Sequence, residues 1–354
     1  MDERIAACTR ALAPGKLPAI DQARAYRNRA EHWSDKRDHK RALADLNEAI
    51  RLHPQYAQAY VQRGNAHGEL GNHDRAIADY DEGLRLNPRD EVAYNNRGNA
   101  WSEKGNHDRA IADYGEALRV NPREGSTWRN RGDAWQSKGD HDKAIADYNE
   151  AIRLEPEDAQ AYRSRGTAWL SKRDFDRAIA DYSQATRRAP KHATAYNNRG
   201  HAWSAKRDFD RAIADFDEAI RLDPRYVRAF QNRAEAWLAK NNAARALADF
   251  NQALKLDPDN SVRLNHLAWL LATSKLDALR DRKRAVALAR RACELTAWED
   301  LYNMDTLAAA HAEAGNFKEA VQWQEKALQD AKLAKDASAQ ERLVLYRAGR
   351  AFRE

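Results

Sequence analysis

The residues in this chain that could do chemistry come at one interval. Aspartates stand at Asp45, Asp79, Asp113, Asp147, Asp181, Asp215 and Asp249, and arginines at Arg29, Arg63, Arg97, Arg131, Arg165, Arg199 and Arg233, both series stepping by 34 residues. Histidines follow the same step at His39, His73, His107 and His141. Carboxylates near histidines could do acid–base work or hold zinc. Both readings fail on the repetition, because an active site is singular while these residues recur with the unit. The ligands of one zinc must also converge to about 2 Å from the ion, whereas packed helices stand roughly 8–10 Å apart. The histidines are therefore assigned to turn packing, a place that Phe175 and Phe209 take in later copies. There is no Gly-rich phosphate loop, no Cys-x-x-Cys pair and no nucleophile elbow. No catalytic residue, metal or cofactor is expected; catalysis would enter only if this chain were the interaction module of a larger enzyme or regulatory assembly.

Helix pairs must position these residues. Prolines fall at 54, 88, 122, 156, 190, 224 and 258, and seven copies of one unit run over 23–260. The phrase Tyr94-Asn95-Asn96-Arg97-Gly98-Asn99-Ala100-Trp101 returns as Tyr196-Asn197-Asn198-Arg199-Gly200-His201-Ala202-Trp203. Tyr94, Gly98 and Trp101 share one face of a first helix, and Ala110, Tyr114 and Ala117 share one face of a second. Gly105-Asn106-His107-Asp108 supplies the turn and a capping side chain, and Pro122 ends the second helix. Six of the ten tryptophans, Trp33, Trp101, Trp135, Trp169, Trp203 and Trp237, share one repeated place and read as packed core.

This pattern resembles the tetratricopeptide repeat (TPR) family, whose 34-residue signature alternates aromatic and small residues in this order before a proline. The resemblance implies an all-α fold, a right-handed superhelical solenoid of helix-turn-helix repeats with the first helices lining a concave groove. Two departures stand out: His67 replaces the tryptophan, and Gly83 replaces an alanine. A third is systematic. The family usually places an inward leucine where this chain has its arginine series. The aspartates of the second helix accompany those arginines in all seven copies, and both change together in the divergent units, to Leu267 with Leu288 and to Leu307 with Trp323. Joint presence and joint loss predict a bidentate ion pair within each repeat, Arg131 meeting Asp147, with Asp113 of the preceding copy as the alternative partner; the other reading is two exposed residues inherited by duplication.

Past residue 260 two divergent repeats occupy 261–334, the first with a five-residue insertion between its helices, and 335–354 is expected to be a capping helix, placed over Asp336–Arg353 and stopped at Gly349. At the other end 1–22 forms a short cap, with Ile5, Cys8 and Leu12 on one face. Two cysteines exclude a disulfide framework. No basic and apolar leader opens the chain, which leads to an expectation of a cytoplasmic protein; the opening stretch also resembles bacterial TPR proteins, some of them exported. Mean hydropathy of −0.91 and the lack of a long apolar run exclude a helical membrane span.

Partners are expected to be proteins or peptides. The residue before each arginine is Asn28, Gln62, Asn96, Asn130, Ser164, Asn198 or Asn232, and one turn on stand Glu31, Asn65, Asn99, Asp133, Thr167, His201 and Glu235. An amide offers both a donor and an acceptor, so a ladder of Asn28, Gln62, Asn65, Asn96, Asn99, Asn130, Asp133, Asn198, His201 and Asn232 is the candidate peptide site. The resemblance supports it, since several TPR proteins use an asparagine here for peptide backbone. It equally allows the asparagines to brace neighbouring helices. Arg27, Arg129 and Arg163 do not form the paired clamp that some TPR domains use for a C-terminal carboxylate. Nearly all of the net charge of +6 sits in 275–291, with seven basic residues against two acids. That cluster lacks aromatic interleaving and reads as a solvated helix face rather than a nucleic-acid site. No feature specifies an oligomeric state.

Overall fold

The computed structural model describes residues 3–15 and 17–354; Met1, Asp2 and Lys16, part of the expected N-terminal cap, lie outside the described residues. Among the described residues there are twenty α-helices, two single 3-10 turns and no strand. The chain divides into two compact units, Met1–Arg188 and Ala189–Glu354. The first holds a short helix (Glu3–Ala11) and five helix pairs, from Ala19–Asp35 with His39–Leu52 to Ala159–Ser171 with Phe175–Arg188. The second holds two further regular pairs, two divergent pairs (Ser261–Thr273 with Arg282–Leu295, Leu301–Glu313 with Phe317–Ala327) and a last helix, Ala337–Arg347.

One local arrangement makes each regular pair. In repeat 3 the first helix (Glu91–Glu103) starts under the Asp90 side chain, which accepts the Ala93 N–H at 2.9 Å. It ends at Gly105, whose φ of +73° is the left-handed turn that glycine takes without strain. Asn106 then caps the second helix through the Arg109 N–H. The two helices close because glycine faces a ring: a Cβ on Gly98 would stand 2.7 Å from the Tyr114 ring, and Gly64, Gly132, Gly166 and Gly200 face Tyr80, Tyr148, Tyr182 and Phe216 in the same way. Those rings and the alanines opposite them, such as Ala110 and Ala144, form the core.

Three expectations are refined. The six tryptophans join the core only by one face; a basic side chain lies over the other, as Arg109 over Trp101 at 4.4 Å and Lys143 over Trp135 at 4.3 Å. The last helix does not reach Arg353. It stops at Arg347, Gly349 turns the chain at φ +66°, and 350–354 runs back without helical structure. The five-residue insertion forms the single 3-10 turn Asp277–Leu279, with Leu279 buried.

The paired charges are present in all seven regular copies. Each arginine donates Nε and Nη2 to the two carboxylate oxygens of its own repeat's aspartate at 2.6–2.9 Å. The aspartates are only 5–7% exposed, and each guanidinium stacks on an aromatic ring one turn back, as Arg131 on Trp128 at 4.7 Å. The remaining Nη1 often reaches the preceding repeat, from Arg63 to Asn47 at 2.9 Å, Arg97 to Asp81 at 2.6 Å and Arg165 to Asn149 at 2.7 Å. Asp113, the alternative partner expected for Arg131, is thus held by Arg97 of its own repeat. At Arg131 this outward bond is missing, because Gly115 stands where the other copies carry a side chain.

Candidate functional site

The asparagine series lies along the first helices, but it is not a free ladder. Asn96 donates to Asn65 Oδ1 at 2.9 Å, Asn130 donates to Asn95 at 3.1 Å and Asn99 at 3.3 Å, and Asn232 donates to Asn197 at 3.0 Å. Each bond joins one repeat to the one before it. Bracing, the alternative that the sequence allowed, is what these amides do, Asn96 and Asn232 through one bond each and Asn130 through two.

The next rung is anchored from within. Tyr80 donates to Asn65 at 2.8 Å, Tyr114 to Asn99 at 2.7 Å and Tyr148 to Asp133 at 2.7 Å. Burial pushes these three phenols well above their ordinary range, so they stay protonated donors. Asn65, Asn99 and Asp133 are thereby held in one rotamer with their outer atoms presented.

The remaining members are placed differently. Asn28 is exposed and accepts from Arg27 at 2.9 Å. Gln62 is half-buried, and its Oε1 has no partner. Asn198 accepts from Asn197 at 3.4 Å, and His201 is exposed. Of the arginines beside the series, Arg27 is committed to Glu31 at 3.1 Å and Arg129 to Asp158 at 3.3 Å.

Three of the ten residues meet in one place. Asn65, Asn96 and Asn99 line a cavity of about 580 Å³ between the first helices of repeats 2 and 3, together with Gly68, Tyr80, His73, Glu69 and Glu103. Gly68 opens it: the other regular copies carry Ser, Gln or Leu at that place. Glu69 and Glu103 are exposed, and among the described residues neither has a basic partner. The two acids and the bracing Asn95 and Asn197 escaped the sequence reading. A signal for the cavity was present in the His67-Gly68 departure. Burial lowers the His67 pKa, keeping it neutral behind this wall.

The segment 275–291 spends much of its charge internally. Arg280 and Arg282 face Glu313 at 3.4 and 3.7 Å, Arg284 donates to Asn251, and Arg291 pairs with Asp259 at 3.0 Å.

Tandem helix pairs with these small-residue and ring contacts define a helical-repeat solenoid. Tetratricopeptide repeat profiles match residues 57–90 and 304–334 and, in overlapping stretches, 95–159, 136–193, 165–224 and 197–261. The chain belongs to the tetratricopeptide repeat family. Its fold is shared with a tetratricopeptide repeat protein from Parabacteroides merdae, at 18% identity and a TM-score of 0.55 over 68% of this chain and 95% of that one. It is also shared with the C-terminal part of a TPR repeat-containing protein from Cytophaga hutchinsonii, at 19% and 0.54 over 67% and 97%. PilF of Pseudomonas aeruginosa gives 17% and 0.53 over 60% and 96%. At these identities the likeness is one of fold. No curated protein matches the sequence.

Proposed function

We propose that this chain is a non-catalytic scaffold that holds an extended segment of a partner protein along its first-helix face. What carries the reading is the cavity between repeats 2 and 3, where three amides already locked by tyrosine and asparagine bonds stand beside two unpaired carboxylates. An amide that has used one donor in bracing keeps a second for a ligand carbonyl. Preorganised donors lose little entropy on binding. Glu69 and Glu103 favour a lysine or arginine side chain at this point. Arg27 and Arg129 are engaged by acids of their own, and Arg163 alone does not make a paired clamp for a chain terminus, so an internal segment is the expected ligand.

The test must spare the bracing. Extended peptides selected from a display library on the wild-type chain should carry a basic residue and should bind at least tenfold more weakly to a Glu69→Gln, Glu103→Gln double variant. The glutamine variant leaves every amide bond in place; a second, Asn96→Ala with Asn130→Ala and Asn198→Ala, cuts two bracing amides, and where its melting curve shows a folded chain it should lose binding as well. Peptides that bind both variants unchanged would place the interaction on another face.

A further inference from the structure

The 350–354 segment lies where a ligand would. In the 34-residue register His266 follows Asn232 and Trp269 follows Glu235, so the face of helix Ser261–Thr273 that carries them continues the candidate peptide face into the first divergent repeat. After the turn at Gly349 the chain crosses this face. The Glu354 N–H donates to the Thr273 carbonyl at 2.9 Å, and the Lys275 N–H donates to the Glu354 carbonyl at 3.3 Å. Phe352 packs on Trp269 with ring centroids 6.2 Å apart, and the Trp269 indole N–H donates to the Glu354 carboxylate. Arg342 lies over both rings, 5.0 Å from one and 5.5 Å from the other.

Arg353 shows what this face selects. Its guanidinium reaches the Ala272 carbonyl at 3.4 Å and the Glu313 carboxylate at 2.5 Å. The Glu313 side chain is 3% exposed, and its other cations, Arg280 and Arg282, stay 3.4 and 3.7 Å away. A buried carboxylate needs a close, hydrogen-bonded cation. The last carbonyls of a helix likewise need donors from outside it. One aromatic–arginine–acid segment satisfies both needs.

The seat is larger than the segment on it. Beside Phe352 a cavity of about 530 Å³ opens between Trp269, His266 and two exposed apolar side chains, Val262 at 73% and Tyr302 at 48% exposure. We infer that this face is a second peptide-binding site, for an extended segment with an aromatic residue followed by arginine, and that 350–354 is its intramolecular occupant. A partner segment of that chemistry displaces it and extends along the apolar cavity. The amide-rung site is built from residues of repeats 2 and 3 and shares none of these, so the two readings fail separately.

The probe is a fluorophore-labelled synthetic peptide of residues 348–354, and the measurement is fluorescence anisotropy. A tethered occupant competes at an effective concentration of about millimolar. The full chain carrying Phe352→Ala and Arg353→Ala should therefore bind the probe at least tenfold more tightly than the wild type, and adding Glu313→Gln or Trp269→Ala should remove that gain. Absence of saturable binding to the folded double variant, or binding indifferent to Glu313→Gln, overturns the proposal. Should the double variant lose its helical spectrum, the wild type decides: excess unlabelled probe must accelerate hydrogen exchange at the Glu354 amide, and an unchanged rate overturns it. A dimer in sedimentation that Arg353→Ala abolishes would assign the seat to a second copy of this chain and also overturn it.

Discussion

Repeat 4 and the first divergent repeat solve the same packing problem with opposite chemistry. In repeat 4 the place between the two helices holds Arg131 on Asp147, two parallel bonds at 2.7 Å with the aspartate 5% exposed. In the divergent repeat the same two places hold Leu267 and Leu288, which join a continuous apolar cluster with Leu271, Leu307 and Met304. A buried ion pair is not intrinsically more stable than the apolar pair that replaces it, but one partner without the other is costly. That is why the two places change together and never singly. Polarity also occurs in the divergent part, where Arg342 at 4% exposure holds Asp305 at 2.8 and 3.0 Å and Gln324 donates to the same carboxylate at 2.7 Å.

Splitting the pair should give the largest effect. Arg131→Leu strands a buried carboxylate and should lower stability by about 3–5 kcal/mol. Asp147→Leu should cost less, because Arg131 keeps 22% of its side chain in water. The double leucine variant, which copies the divergent repeat, should melt at or above the wild type. Urea melts of the three variants measure this, and little or no loss from Arg131→Leu would mean that the pair is not buried in solution.

A smaller change sharpens the comparison among the regular copies. Gly115 leaves Arg131 Nη1 without the outward bond that Asn149 gives Arg165. Gly115→Asn should restore it and remove a mid-helix glycine, raising stability by about 1 kcal/mol. The same melts should show no gain when Arg131 and Asp147 are already leucine beyond the propensity share, a few tenths of a kcal/mol.

The smallest effect concerns His67, which stands where six other copies have tryptophan. Burial lowers its pKa from the ordinary 6.5, against the pull of Asp79 at 3.9 Å. The unfolded chain then binds the proton more readily than the folded one. Stability is intact above about 6.5 and falls as pH drops through 6.5 toward the lowered folded value. His67→Trp should flatten this dependence in melts between neutral and mildly acidic pH, and an unaltered slope would move the titration to another group such as His311, also lowered by burial.

Much of the fold was legible because it was written seven times. The period, the turn at Gly105, the proline stops and the Arg–Asp pairing could each be read by comparing one copy with the next, and the paired loss at Leu267 and Leu288 served as an internal experiment. The candidate site was legible only in part. The asparagine series marked a first-helix face, yet its members do two jobs, and only the placement of Asn95 and Asn99 against Asn130 shows which of them brace. The cavity at Gly68 depends on what one copy lacks, a difference that repetition conceals.

The sequence by itself determined the contacts whose partners lie inside one unit or one period away, since each is a short-range interaction repeated at a fixed offset. The fold-back of 350–354 was decided by the tertiary structure alone. Its bonds join residues 81 and 85 apart, Arg353 to Ala272 and Trp269 to Glu354. They are made by residues that occur once, where a glycine turn, two orphan helix carbonyls and one buried carboxylate come together only after the last repeats have packed.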